Sequence, residues 1–94
     1  MTISWSNAAR HDVTRIFAFN AAYVPGCAAV IDGRLFEGAD QCARNPLAGL
    51  AIAGTAIRKR SLTDIQYVIG YKADARDAII ILGIRHAREN RDTA

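Results

Sequence analysis

Between Asn7 and Arg44 the apolar residues recur at steps of three and four, and from Ala56 onward they recur at every second residue. A spacing near 3.6 gathers side chains on one face of a helix, and a spacing of two gathers them on one face of a strand. The change of period across Asn45-Pro46 therefore divides the chain into a helical half and a strand half. With 94 residues there is room for a single core, so the two halves have to cover one another. That requirement predicts an α+β fold.

Ile3 and Trp5 alternate with polar neighbours as a short strand does, and Ser6 suits the N-cap of the helix that follows. Over about Asn7 to Tyr23, the residues Ala9, Val13, Ile16, Phe17, Asn20 and Tyr23 form one arc, with Phe19 at its margin. Val24-Pro25-Gly26 ends that helix, and Pro25 fits the first turn of a second one running to about Arg44. On the second helix Cys27, Ile31, Leu35, Ala39 and Cys42 line one face, and Ala29, Phe36 and Ala43 widen it past half the circumference. A helix that apolar has more than one neighbour, or keeps part of its surface for a partner. Pro46 to Gly54 reads as a flexible connection. Three strand-like runs follow, Ala56 to Arg60, Ile65 to Lys72 and Ala78 to Ile84. Ile65, Tyr67, Ile69 and Tyr71 share one face, and Ala78 to Leu82 is apolar on both faces, as a central strand is. The expected architecture is an N-terminal strand, a helical hairpin and a three-stranded antiparallel meander, with both helices on one face of the sheet. Residues 1–94 make a single domain, and 85–94 form a polar, basic tail.

Several function classes drop out at this level. No apolar run approaches the roughly 20 residues of a membrane span, and the start lacks a basic stretch followed by an apolar one, so a cytoplasmic protein with no membrane contact is expected. Glycine-rich phosphate loops, CxxC pairs and HExxH spacings are absent and the two histidines are far apart, so neither cofactor nor metal is expected. Cys27 and Cys42 on one helix would lie roughly 22 Å apart, too far to pair, and read as small buried apolar residues. His11 falls on the polar side of its helix.

Charge is distributed unevenly. Residues 1–50 carry Arg10, Arg15, Arg34 and Arg44 against Asp12, Asp32, Glu37 and Asp40, so the whole net charge of +3 lies in the second half. Such a half suits an acidic partner, protein or nucleic acid, and equally a solvated surface. Arg85, His86, Arg88 and Arg91 are the most concentrated group, and a buried strand just before them would present them rigidly to phosphates or carboxylates; a solvated terminus is the other reading. In Arg58-Lys59-Arg60 the outer two point one way and Lys59 the other, so the three cannot act as one patch. A metal-independent ribonuclease needs a general acid and base beside its cations. The cations are here, but a convincing acid and base pair is not.

Taken in order, the motifs resemble the ParE/RelE superfamily of small bacterial toxins over nearly the whole chain. Ile3-Ser4-Trp5-Ser6 and the following Ala9-Arg10-His11-Asp12 are similar to a family opening in which a short strand ends in Trp-Ser and a helix begins Ala-x-x-Asp-Leu. Pro25 with Ala28-Ala29 resembles the start of the family's second helix, and Asn45-Pro46-Leu47-Ala48-Gly49 its Pro-x-x-Gly loop. Arg58 stands where these toxins carry an arginine on the second strand. Tyr67-Val68-Ile69-Gly70-Tyr71-Lys72 resembles Tyr-Val-Ile-x-Tyr-Arg, and Ile81-Leu82-Gly83-Ile84-Arg85-His86-Ala87-Arg88 resembles Ile-Leu-x-Val-x-His-x-Arg.

The resemblance implies the toxin of a type II toxin–antitoxin pair, with two target classes in the superfamily. RelE-like members cleave mRNA on the ribosome; ParE-like members inhibit DNA gyrase and do not use that nuclease set. Val68 stands where the nuclease branch has an arginine, and no tyrosine follows Tyr71, which favours the ParE branch. Lys59 and Arg60 depart from the acidic and apolar residues common there. The implied function is a non-enzymatic gyrase inhibitor with no catalytic residues, neutralised by a ParD-like antitoxin and meeting operator DNA only through it. The alternatives are a RelE-like endoribonuclease and a non-toxic antitoxin-binding module. Candidate antitoxin contacts are Ile16, Phe19, Tyr23, Phe36, Arg58 and Tyr67, of which Ile16 and Tyr67 also read as core. Candidate target contacts are Arg85, His86, Arg88 and Arg91.

Overall fold

Ser6 caps the first helix as its position suggests: its Oγ accepts a hydrogen bond from the Ala9 amide at 3.0 Å in a computed structural model that describes residues 2–74 and 76–88. From that cap α1 runs Asn7–Tyr23, after a strand β1 at Thr2–Trp5. The second helix, α2, spans Ala28–Arg44. Pro25 and Gly26 form the turn before it and Cys27 is its N-cap, so the proline precedes the first turn instead of occupying it. Cys27 is consequently exposed, and only Cys42 is buried as expected of both.

The strand half begins earlier than its periodicity suggests. A two-residue strand β2, Leu50–Ala51, lies within the stretch expected to be flexible and pairs antiparallel with β3, Arg58–Leu62. Then come β4, Tyr67–Ala73, and β5, Ala78–His86, which continues through Arg85 and His86. The sheet has five strands in the order β1-β5-β4-β3-β2. The β2–β5 part is an antiparallel meander, but β1 pairs parallel with β5, because the helical hairpin is a crossover that returns the chain to the same end of the sheet. The strand that is apolar on both faces is thus internal, as expected.

Both helices pack on one face. Ile16 of α1 and Leu35, Ala39 and Cys42 of α2 meet Leu62, Ile69, Tyr71, Ile79, Ile81 and Ile84 in one buried cluster. Each isoleucine or leucine buried there contributes about 1.5–3 kcal/mol. A bulge makes this set continuous: Gly70 is opposite Gly83 but Tyr71 is opposite Ile81, so Leu82 has no partner and Ile81 and Ile84, three residues apart, both face the helices. At the closest approach of α2 to the sheet stands Gly38, where a Cβ would come within 2.7 Å of the Leu62 side chain.

Three polar devices fix the periphery. β1 stops at Trp5 while β5 continues, and α1 takes over the vacated edge: Ser6 Oγ donates to the Leu82 carbonyl at 3.1 Å, and Asp12 Oδ2 accepts from the Ile84 amide at 2.9 Å. Across the sheet, the buried phenol of Tyr71 accepts from the Gly49 amide at 3.0 Å and donates to the Pro46 carbonyl at 2.8 Å. Arg58 donates to the carbonyls of Gly49 at 2.8 Å and Leu47 at 3.3 Å. The loop before β2 is therefore latched from the sheet. On the outside, Arg34 of α2 grips both oxygens of Asp64 in the β3–β4 turn at 2.6 and 3.3 Å, and these hydrogen bonds hold the Asp64 carboxyl below its ordinary range.

Candidate functional site

The basic residues at the end of β5 do not form one patch. Arg85 is opposite Val68 and His86 opposite Tyr67, so alternation sends Arg85 to the sheet face away from the helices and His86 to the helix side. His86 stands edge-on to the Tyr67 ring at 5.4 Å, and its Nδ1 accepts from the Arg88 amide at 3.2 Å. The side chains of Arg85 and Arg88 are exposed, and Arg91 lies outside the described residues.

Of the residues expected to meet an antitoxin, two belong to the core. Ile16 is 2% exposed and Tyr67 8%, because both sit on surfaces that close over the α1–sheet contact. Arg58, partly buried, donates to the Leu47 and Gly49 carbonyls and so holds the loop of its own chain. The other three lie at the surface. Phe19 and Tyr23, at 55% and 72% exposure, stack at 4.8 Å on one flank of α1. Phe36 is half exposed on the other flank, meeting Trp5 at 5.9 Å and Phe17 at 5.7 Å edge to face.

Two clefts follow from this arrangement. On the first flank a small one of about 120 Å³ lies among Arg15, Ile16, Phe19, Tyr67 and His86, bringing antitoxin candidates against a target candidate. On the second, a shallow groove of about 300 Å³ runs between Trp5, Arg10, Val13, Thr14 and Phe36. Helical geometry separates them: residues 15, 16, 19 and 23 share one side of α1, and 10, 13, 14 and 17 the other. The expected apolar margin of the hairpin is therefore two surfaces.

The open face of the sheet carries a third concavity, larger than these two, of about 380 Å³. Its floor is the row in which Lys59 is opposite Gly70 and Gly70 opposite Gly83, with Val68, Leu82 and Arg85 beside it. Ile52 and Ile57 from the β2–β3 turn close one end, and Ala8 and Asp12 of α1 the other. Register creates this trough, by setting two glycines from different strands side by side, and sequence spacing alone carries no trace of it. Among the described residues no group of three or more His, Cys, Asp or Glu side chains could hold a metal ion, and no helix is long and apolar enough to cross a membrane.

The family model described as the ParE toxin of type II toxin–antitoxin systems, parDE, matches residues 3–91. The chain belongs to the ParE toxin family. Comparison with curated protein sequences returns no match. Among solved structures, one titled "Chromosomal ParDE TA system from P. aeruginosa" superposes with a TM-score of 0.79 at 18% identity, over 92% of this chain and 95% of that one. The likeness bears out the α+β architecture expected of a ParE/RelE-like fold. In this ParE-family chain most of the motifs that resembled the family prove to be structural joints. The Asp of Ala-x-x-Asp completes the β5 edge, and the Pro-x-x-Gly loop, the arginine of the second strand and the last tyrosine make up the latch.

Proposed function

We propose that this ParE-family toxin inhibits DNA gyrase as a binding protein and not as an enzyme, and that a ParD-like antitoxin holds it inactive in the cytoplasm. The observation that carries this reading is the family match over residues 3–91. The open face supports the gyrase branch over RNA cleavage. Val68, not a cation, occupies the middle of that face, and Tyr67 and Tyr71 are both buried on the helix side. A ribonuclease working without metal needs proton donors and acceptors aimed at a phosphate, and the phenols of this sheet point away from the surface on which one would lie.

On this reading the antitoxin covers the exposed aromatic flanks, Phe19 with Tyr23 and Phe36, together with the open sheet face, burying on the order of 1,000 Å² or more in all. Operator DNA is reached through the antitoxin alone. Arg85, His86, Arg88 and Arg91 serve the target, where guanidinium groups meet acidic protein or DNA phosphates. The test is DNA supercoiling by purified gyrase with and without the chain, with antitoxin added back. Inhibition reversed by the antitoxin, and lost in a folded Arg88→Ala variant, is expected. A folded, antitoxin-free sample that leaves supercoiling untouched overturns the reading, and retained inhibition by Arg88→Ala removes that residue from the target surface.

A further inference from the structure

We infer that the outer edge of β1 pairs with the same edge of a second copy of this chain, antiparallel about a two-fold axis through Ser4, so that two sheets join into one. Phe36, beside that edge, is a proposed antitoxin contact, so the pairing belongs to the antitoxin-free chain. It holds whether or not gyrase is the target.

The two edges of the sheet are finished differently. At one, β2 is two residues long, and the amide and carbonyl of Gly49 just before it are taken by Tyr71 and Arg58. At the other, Thr2 donates to the Asp77 carbonyl at 2.8 Å and Ser6 to the Ile81 carbonyl at 3.0 Å, so the even-numbered residues of β1 face β5. The amides and carbonyls of Ile3 and Trp5 consequently face outward, and among the described residues no hydrogen bond reaches them. Native sheets blunt such an edge with charges, proline or a bulge, and Thr2-Ile3-Ser4-Trp5 has none of these.

Any extended segment satisfies outward backbone groups; a second copy is singled out by what its own sequence brings. Ile3 and Trp5 flank Ser4, so turning β1 about Ser4 sets Ile3 against the second copy's Trp5 and Trp5 against its Ile3. Each of these pairs exchanges both bonds. The axis stands perpendicular to the sheet, which keeps the helices of both copies on one face. On that face Trp5 lies beside the second copy's Ile3, and the half-exposed Phe36, edge-on to Trp5 at 5.9 Å, turns toward its counterpart. On the other face Ser4 meets Ser4, with the exposed, uncharged Thr2 beside it. Charge supports the antiparallel direction. Asp77 stands beside Thr2 at the start of β1, and Arg10 follows its end by one helical turn. Both are exposed, and neither is in an ion pair among the described residues. Antiparallel pairing brings the Asp77 end of each copy to the Arg10 end of the other.

Sedimentation of the purified, antitoxin-free chain at up to about 200 μM should show a monomer–dimer equilibrium with a micromolar Kd. A strip this narrow falls at the low end of specific interfaces, below ~1,200 Å². Ser4→Lys and Ser4→Glu set like charges against each other at the axis. Each should raise the Kd on the order of 10-fold or more, most strongly at low salt. Mixed in equal amounts, the two variants should dimerise at least as tightly as wild type. Ser4 is exposed, so thermal midpoints should match wild type, which keeps the result separate from unfolding. A wild type that stays monomeric overturns the inference, and if Ser4→Lys then weakens binding of the cognate antitoxin, the edge belongs to that partner instead. Dimers of unchanged affinity in both variants place the contact elsewhere and overturn it as well. Weakened variants that mixing does not restore overturn the two-fold register.

Discussion

Replacing Tyr71 with phenylalanine tests whether the β2 loop is held by one phenol. The ring stays, so packing against the core is kept, and only the oxygen between the Gly49 amide and the Pro46 carbonyl is removed. Gly49 is buried, and an orphaned buried amide costs about 1–3 kcal/mol; the half-buried Pro46 carbonyl loses a bond worth about 0.5–1.5 kcal/mol. The sum, about 1.5–4.5 kcal/mol, is a large part of the ~5–15 kcal/mol that stabilises a domain of this kind. Gly49→Ala attacks the same joint from the other side, because a Cβ would overlap the Tyr71 hydroxyl and lie 2.9 Å from Cε1. Urea unfolding of the two single variants and the double should therefore give costs that do not add, the double falling short of the sum by about 1 kcal/mol or more. A Tyr71→Phe variant within about 0.5 kcal/mol of wild type, or strictly additive costs, would refute the latch.

Two further outcomes follow from the helices. Gly33 and Gly38 are both inside α2, yet a Cβ at Gly33 meets nothing within 4 Å whereas at Gly38 it meets Leu62 at 2.7 Å. Gly33→Ala should stabilise by about 1 kcal/mol through helix propensity, and Gly38→Ala should lose that gain to overpacking of about 1–3 kcal/mol, as read from paired thermal melts. The thiols should also separate: Cys27 is exposed, while Cys42 is buried and its thiol is pushed up to about 11 by desolvation. Near pH 8 an aromatic disulfide reagent should titrate Cys27 alone in the native protein and both thiols in denaturant, and prompt labelling of native Cys42 would contradict the packing.

Elements with a local cause were readable from the residues, and those with a distant cause were not. Helix α1 has the expected bounds because its cap, Ser6, and its breaker, Pro25, are both neighbours in sequence. Strand β2 escaped because a two-residue strand has no period, and what holds it is a phenol and a guanidinium many residues further on. The parallel pairing of β1 was hidden for the same reason, since alternation at Ile3 and Trp5 says nothing about direction. The family motifs fall on residues that make joints within the chain, which their spacing does not reveal. Arg58 and Tyr71 hold the chain's own loop, Asp12 finishes an edge, and the trough between Gly70 and Gly83 arises only from register.

The position of β5 has a consequence for how the molecule comes into being. It lies between β1 and β4, so the earliest strand to be synthesised waits for the latest before either finds its place. Pairings of such long sequence separation form slowly, because a long loop must close before any contact compensates for it. While β5 is still inside the ribosome, Asp12 and Ser6 have no edge to complete and the open face does not exist. A cell translating this chain therefore meets the toxin only after β5 has emerged, and an antitoxin that seizes nascent segments would have to recognise them unfolded.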